Sequence, residues 1–405
     1  MLFNYFSINK VFLINIFVFI FLFIIFFQGS LYFSQAFFFG SVIIDSTISK
    51  IIVFTIAFFI LILSFDRKNT IANYAFISLY IIFIFYGFSV IYYNDNGGQY
   101  LGAFLYNYSL TIVLLPLAMY FLKYYNFKID VSIFYYLFLF LSLFVFLEVV
   151  MQKHVFEYVR PFLPLELVKF DQIGGYIRPM SFFKSPIDFS YLNAIFATLS
   201  LIVFIKRPTF FRLLVLLIFV FVQFLIFVRS GMVFLISSFI LVFIAYVYDK
   251  YKLFGLLISL YFSVAFFVFL FAFFVTMSTP ILNPDNLIIR FENWSSLLVD
   301  VVFPNFIFGI GSVQNGNYGM HHSLVIDNLY IGIFVTGGVI SFIFFILVIA
   351  LLFFILRREK SFELRVWYFS VVFGMLAASF FENTMHLFYF AILPLFFKIS
   401  RINLV

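Results

Sequence analysis

Long runs of apolar residues recur along the whole chain and are separated by short polar segments. An α-helix needs about 20 such residues to cross a bilayer. The pattern predicts twelve helices, at about 11–27, 51–65, 71–92, 101–122, 131–151, 187–205, 213–228, 231–248, 253–276, 328–356, 366–381 and 385–398. The run 31–44 contains Ser34, Gln35 and Gly40, and we interpret it as an interfacial or re-entrant segment. We therefore predict an all-α polytopic integral membrane protein with a single membrane domain over residues 1–405.

Composition supports this fold class and excludes several kinds of site. Of the 405 residues, 65% are hydrophobic and 10% are charged, whereas a soluble domain has about 25% charged residues. The chain has no cysteine, which excludes disulfides, thiolate nucleophiles and thiolate metal sites. Lys10 precedes the first apolar run, but "FFQGS" after it lacks a small-x-small cleavage site, so we predict an uncleaved first helix. We expect contacts with membrane lipids and none with nucleic acid.

Every second loop along the chain is rich in lysine and arginine, and the loops between them contain fewer of these residues. Sixteen of the 24 lysines and arginines fall on one side, which the positive-inside rule makes cytoplasmic together with both termini. Two long loops, 152–186 and 277–327, then face the periplasm. Their aromatic and apolar content predicts folded, partly helical loops, and "RFENWSSLLVDVVF" has the spacing of an amphipathic surface helix. The basic residues on the cytoplasmic side are Lys10, Arg67, Lys68, Lys123, Lys128, Lys206, Arg207, Arg212, Lys250, Lys252, Arg357, Arg358, Lys360, Arg365, Lys398 and Arg401.

Three arginines lie on the other side, in or beside these loops. Arg178 follows a Gly-Gly turn, Arg229 stands between two helices in "FVRSGMVF", and Arg290 opens "RFENW". A guanidinium offers a planar fork of donors that suits phosphate oxygens. The alternatives are that Arg178 snorkels or pairs with Asp188 and that Arg229 only shapes an interfacial turn. Glu148 and Glu382, near the outer ends of helices, are the carboxylates expected to pair with these arginines.

His321 and His322 lie in the second loop, just before the helix predicted at 328–356. Adjacent histidines suggest a metal, but no Asp, Glu or His partner at helical spacing completes a site, so we predict no metal and no cofactor. A histidine beside an arginine-lined cavity is a suitable general base because imidazole titrates near neutral pH. Asp327 is an alternative base, and a merely solvated loop histidine is the simplest interpretation.

The ordered set of motifs resembles the O-antigen polymerase and ligase superfamily, and more closely the Wzy-type polymerases. It comprises the loop Arg178 before a middle helix, Arg290 with Trp294 in "RFENW", "GIGS", the loop histidines and "DNLYIGIFVTGGVISFI". The sequence departs from the family at Ser181, where a glycine often stands. It also has Asp327-Asn328 where ligases have His-Asn.

The resemblance implies a metal-independent, inverting glycosyltransferase of the bacterial inner membrane. It would move glycan from undecaprenyl diphosphate onto the non-reducing end of another lipid-linked repeat unit, beside a chain-length regulator. Arg178, Arg229 and Arg290 would bind the donor diphosphate, and His322, His321 or Asp327 would act as base. Asn328, Asn293, Trp294 and Glu382 are candidate glycan-binding or supporting residues.

Two alternatives stay open from sequence. A ligase that transfers finished glycan to lipid A-core shares the chemistry and differs in its acceptor. A flippase for lipid-linked oligosaccharides belongs to another class and is expected to have charges at helix centres and broken helices in repeated halves. Here the charges lie at helix ends and in loops, and no internal repeat is evident.

Overall fold

The computed structural model of the chain describes residues 2–43, 129–162, 172–173, 175–276, 284–309, 319–321, 324–326, 328–357, 361–380 and 397–398, with Ile52, Thr55, Ile56 and Phe59. These residues are mostly helical. The longer helices are α1 (Leu2–Phe39), α2 (Val131–Met151), α3 (Pro186–Lys206), α4 (Phe210–Ile226), α5 (Arg229–Thr276), α6 (Pro284–Ser296), α7 (Leu329–Arg357) and α8 (Phe362–Ala378). The strands form three two-stranded pairs: β1 (Ile129–Asp130) with β6 (Phe397–Lys398), β2 (Gln172–Ile173) with β3 (Tyr176–Ile177), and β4 (Gly319–His321) with β5 (Leu324–Ile326).

Within the described residues, three helices are long and apolar enough to cross a membrane: α2, α3 and the Arg229–Lys252 part of α5. Helix α3 is the central one, since 89% of its apolar stretch is buried inside the protein, against 39% of the corresponding stretch in each of the other two helices. It begins at Pro186, whose fixed φ suits a first helical position, and Ser185 caps it by accepting a 3.1 Å hydrogen bond from the amide of Asp188. A helix surrounded by other helices can carry polar residues, because its neighbours rather than lipid contact them.

Contacts between helix termini define two ends of the bundle. At one, Lys206 at the end of α3 forms an ion pair with Glu363 in the first turn of α8, and Tyr246 of α5 packs edge-on against Phe362. We call this the basic end. At the other, which we call the loop end, α2 and α4 finish and α3, α5 and α7 begin. Lys206 is one of the basic residues that the sequence predicts on the cytoplasmic side, and that sidedness stays a prediction.

The predicted helix at 131–151 coincides with α2, and that at 187–205 lies within one residue of α3. The predicted spans 231–248 and 253–276 are the two parts of α5, which join at a non-helical Lys252. The spans 71–92, 101–122 and 385–398, and nearly all of 51–65, lie outside the described residues apart from Phe397 and Lys398 of β6. The count of twelve stays a prediction.

The prediction that 31–44 is separate from the first helix, as a re-entrant segment, is wrong because α1 continues unbroken to Phe39, whereas its interfacial position stays a prediction. The polar residues that suggested an interruption bond back to their own helix. Ser34 donates to the carbonyl of Ser30 at 2.8 Å, and Gln35 donates to that of Leu31 at 3.3 Å. The helix ends only at Gly40, which has the left-handed φ of +64°.

The first long loop is folded where the structure describes it. A 3-10 helix, Val155–Phe162, buries Phe156 and Val159 against Tyr32 and Ala36 of α1. Met180 completes this small cluster from the far part of the same loop. The loop therefore packs on the end of α1, as its apolar content predicts.

The second loop is anchored on α7. The predicted amphipathic helix is present, starts earlier than expected as α6, and continues as a π-helix, Leu297–Val302. Leu297 and Val302 pack against Ile331 and Val335 in the first turns of α7.

Helix α7 is broken, whereas the sequence predicts one continuous span at 328–356. Gly337 and Gly338 leave the helical conformation, with φ of +60° and ψ of −160° at Gly338. The amide of Val339, freed by the break, donates at 2.8 Å to the carbonyl of Phe306 in the second loop. A Cβ at Gly338 would lie 2.3 Å from the carbonyl oxygen of Ile307, so glycine lets the loop backbone enter the break.

Candidate functional site at the loop end

Arg178 lies against the turn between α4 and α5. It directly follows β3, and Tyr176 of that strand donates to the carbonyl of Leu225 at 3.0 Å while its ring packs edge-on against Phe227, with centroids 5.0 Å apart. Burial raises the pKa of Tyr176, which keeps its hydroxyl protonated as a donor. The Nε of Arg178 lies 3.5 Å from the carbonyl oxygen of Ile226, the last residue of α4. The half-buried guanidinium is thereby held at the loop end of α4.

Arg229 belongs to the same turn. Helix α4 is followed by its cap residue Phe227, which has a left-handed φ of +55°, and α5 begins at Arg229. The structure thus places the Arg178 side chain against the turn that Arg229 closes, although the two residues are 51 positions apart in sequence. The first amides of α5 add the positive end of a helix dipole at this position. A guanidinium group beside a helix start suits an anionic ligand.

The expected pairing of Glu148 with an outer arginine is wrong. Its buried carboxylate accepts backbone N–H groups instead: one oxygen accepts from Val155, and the other from both Met180 and Ser181, each at 2.8 Å. The chain reverses after α2 ends three residues later, which brings the Val155 amide back to the carboxylate, while the amides of Met180 and Ser181 reach it from the far part of the loop. The segment that carries Arg178 is therefore tied to the end of α2.

His154 is a residue that the sequence reasoning missed. It is fully buried, and its Nδ1 lies 3.8 Å from an oxygen of Glu148. It is one of only four histidines in the chain and follows a predicted helix by three residues, which was the available signal. Because His154 is buried, it supports the segment that carries Arg178 and is not exposed to a ligand.

Ser181 occupies the position where the resembled family often has a glycine. Its φ is +51°, in the left-handed region that glycine adopts most easily. The serine keeps this conformation because its amide donates to Glu148 and its hydroxyl donates to the carbonyl of Leu141 at 2.7 Å. The departure from the family pattern thus falls at a position whose backbone conformation favours glycine.

Asp188 pairs with a lysine and not with Arg178. Its carboxylate lies 3.7 Å from Nζ of Lys184, four residues earlier and just before α3 begins. The side chain is 5% exposed, and neither oxygen accepts a hydrogen bond from the protein. A buried carboxylate with so few donors is costly for folding.

A layer of buried polar side chains lies just inward of Arg229. Gln223 of α4 donates to the hydroxyl of Ser190 at 2.6 Å, and Asn193 donates to the side-chain oxygen of Gln223 at 2.8 Å. A Cβ at Gly231 of α5 would lie 1.7 Å from the Ser190 hydroxyl, so glycine allows the close approach of α5. The sequence signal for this layer was the presence of amide side chains, Asn193 and Gln223, in apolar helices.

Asn328 has a structural role. Its side-chain oxygen caps α7 by accepting from the amides of Tyr330 and Ile331 at 2.9 and 3.1 Å, and its nitrogen donates to the carbonyl of Phe380 at 3.1 Å. It is therefore a supporting residue that ties the start of α7 to the end of α8.

Two further candidates lie on α6. Trp294 packs edge-on against Phe291 and contributes to the cluster that joins α6 to α7, which accounts for it as an anchor. Asn293 is half-buried on the same helix.

The remaining candidates are only partly placed. The backbone of Arg290 lies in α6 and that of His321 in β4, paired with Leu324, but their side chains lie outside what the structure describes. His322, Asp327 and Glu382 lie outside the described residues altogether. Within the described part of the chain, no group of three or more His, Asp or Glu could hold a metal ion.

Comparison of the chain with protein-family models, with curated proteins and with solved structures found no match.

Proposed function

We propose that the chain is a Wzy-type polymerase of O-antigen or a related surface polysaccharide. The proposal takes it to be an inner-membrane protein with about twelve spans, both termini in the cytoplasm and the loop end facing the periplasm. Its substrates are oligosaccharides linked to undecaprenyl diphosphate. The observation that carries the proposal is the contact of Arg178 with the turn that begins α5 at Arg229.

Two details support it further. The first is Ser181, whose left-handed conformation suits the glycine that the resembled family often has there. The second is the break in α7, which falls at Gly337 and Gly338 within the "DNLYIGIFVTGG" segment that carries the resemblance. In each case a position singled out by sequence has a specific backbone role.

The chemistry follows from the charges. In the proposed reaction the hydroxyl of an acceptor sugar attacks the anomeric carbon of the donor, and the bond from that carbon to the diphosphate oxygen breaks. A lipid diphosphate leaves readily once its developing charge is stabilised, which preorganised guanidinium groups do best in a site of low dielectric. His322, His321 or Asp327 takes the hydroxyl proton. In-line attack inverts the anomeric carbon, and no nucleotide is involved.

The break in α7 also bears on the flippase alternative. A broken helix in a transporter lines the substrate path with free backbone groups. Here the freed amide of Val339 is used by the carbonyl of Phe306. A loop backbone therefore fills this break, which favours a structural joint over a transport site.

The test is the polysaccharide profile of a deletion strain complemented with variants. Arg178→Ala and Arg229→Ala should leave the protein inserted and abolish long glycan chains. Arg160→Ala is the matched control, because Arg160 is an exposed arginine of the same loop, and it should restore a normal ladder. Normal ladders from Arg178→Ala would refute the proposed role.

The deletion strain itself separates the three functions. Core capped by one repeat unit indicates a polymerase. Bare core with polymer still on undecaprenyl diphosphate indicates a ligase. Lipid-linked single repeats that accumulate on the cytoplasmic leaflet indicate a flippase.

A further inference from the structure

We propose that Glu148 is the positioning residue for Arg178: its carboxylate holds the segment carrying that arginine in place by accepting backbone amides. The proposal deepens the proposed function, on which its binding readout rests, while its structural readout is independent of that function. Glu148 is 1% exposed and lies on α2, four residues before its cap at Gln152.

The carboxylate joins two distant parts of the first loop. One oxygen accepts from Val155, where the 3-10 helix begins, and the other accepts from Met180 and Ser181, where the loop approaches α3. All three distances are 2.8 Å, within the range for charge-assisted hydrogen bonds. A neutral side chain of the same shape cannot reproduce this set, because an amide has only one accepting oxygen.

The link to Arg178 is short. Only Pro179 separates Arg178 from Met180, and proline restricts both its own φ and the conformation of the residue before it. Displacement of the Met180 amide therefore reorients Arg178. On its other side Arg178 is preceded by β3, whose Tyr176 is fixed to the carbonyl of Leu225. Arg178 thus lies between two anchors, and Glu148 supplies one of them.

The structural readout uses the absence of cysteine from the native chain. Met180 is fully buried, so Met180→Cys should react slowly with a water-soluble maleimide. Arg160→Cys, at an exposed position, gives the fast reference rate. Adding Glu148→Gln should accelerate labelling at position 180 by about tenfold or more, as expected from the loss of one or more charge-assisted hydrogen bonds.

Glu157→Gln is the matched control for the glutamate. Glu157 lies in the same loop, is half-buried, and accepts a single 3.4 Å hydrogen bond from the amide of His154. It should leave labelling at position 180 unchanged. Equal labelling rates with and without Glu148→Gln would overturn the proposal, whatever reaction the protein catalyses.

The binding readout is a double-mutant cycle with farnesyl diphosphate as the probe and purified full-length protein in nanodiscs. Arg178→Ala and Glu148→Gln should each weaken binding, and the double variant should bind no more weakly than Arg178→Ala alone. Such non-additivity shows that Glu148 acts through Arg178, since general loosening of the fold would weaken binding in either background. Additive losses would overturn the proposal.

The two readouts separate the two hypotheses. Wild-type protein that fails to bind the probe, together with faster labelling at position 180 in Glu148→Gln, contradicts the diphosphate function and leaves Glu148 as the residue that places Arg178. Normal binding with unchanged labelling contradicts the positioning role and leaves the diphosphate function standing.

Discussion

Replacing Gly338 by alanine should open the joint between the second loop and the broken helix α7. Gly338 has a φ of +60° and a ψ of −160°, a combination that residues with a side chain rarely adopt. An added Cβ would lie 2.3 Å from the carbonyl oxygen of Ile307 and 2.7 Å from that of Phe306. Both neighbours are backbone atoms, so no flexible side chain can move aside to make room.

The magnitude combines strain and a lost hydrogen bond. The backbone of residues 306–307 must retreat by about 1 Å to reach ordinary contact, which breaks the hydrogen bond from the Val339 amide to the Phe306 carbonyl. Strained conformations of this kind cost about 1–3 kcal/mol, and a backbone donor that loses its partner costs about 1–3 kcal/mol more. We expect Gly338→Ala to lower the free energy of unfolding by about 2–6 kcal/mol.

Gly175→Ala is the matched control. Gly175 also has a positive φ, +82°, but an added Cβ there meets nothing within 4 Å. It should carry only the backbone penalty, about 1–2 kcal/mol. The difference between the two variants therefore measures the close contact at the break.

The assay is unfolding of the purified protein in detergent micelles titrated with SDS, followed by circular dichroism. Gly338→Ala should be less stable than Gly175→Ala by at least about 1 kcal/mol. If the two variants lose the same stability, the loop backbone does not occupy the break, and the account of this joint is wrong.

Three further variants test the supports around the site and the basic end. Asn328→Ala should lower the free energy of unfolding by about 0.5–2 kcal/mol in the same titration because α7 loses its cap, and an unchanged midpoint would contradict this. Asp188→Asn should leave stability unchanged or raise it by about 1 kcal/mol, since its buried carboxylate has only Lys184 nearby, and a clear loss would mean that the ion pair stabilises the fold. Burial acts to raise the pKa of Glu363, but hydrogen bonds from Lys206, its own amide and a neighbouring serine outweigh it and lower the pKa below its ordinary value. The stability that this pair contributes is therefore complete above the ordinary carboxylate pKa and is lost as pH falls through the lowered value. Glu363→Gln should remove this part of the decrease in stability at acid pH. The effect should be at most about 1 kcal/mol, because the pair is partly exposed. If the loss of stability at acid pH is unchanged in Glu363→Gln, it comes from other carboxylates.

Local sequence signals were sufficient for some of the helices that the structure describes. Hydropathy located α2 to the residue and α3 within one residue, because apolar length alone decides whether a segment forms a membrane-type helix. Arg178 and Arg229 stood out as charges in apolar surroundings, and both lie at the loop end. Polar residues inside an apolar run misled the same reasoning at 31–44, because Ser34 and Gln35 satisfy themselves on their own helix.

Contacts between distant segments could not be predicted in this way. The carboxylate of Glu148 was expected to meet an arginine, and it meets amides 32 and 33 positions away along the chain. The two glycines of α7 occur in an apolar run that hydropathy scores as one helix, and only the arrival of residues 306 and 307 explains why the helix breaks there.

The sequence by itself determined that the chain forms apolar helices long enough to cross a membrane, and where α2 and α3 lie. Those properties depend on side-chain transfer energies and helical length, which are local. Only the tertiary structure decided which polar groups satisfy one another. Buried donors and acceptors must find partners wherever the fold brings them, and at the loop end those partners lie on other helices and loops.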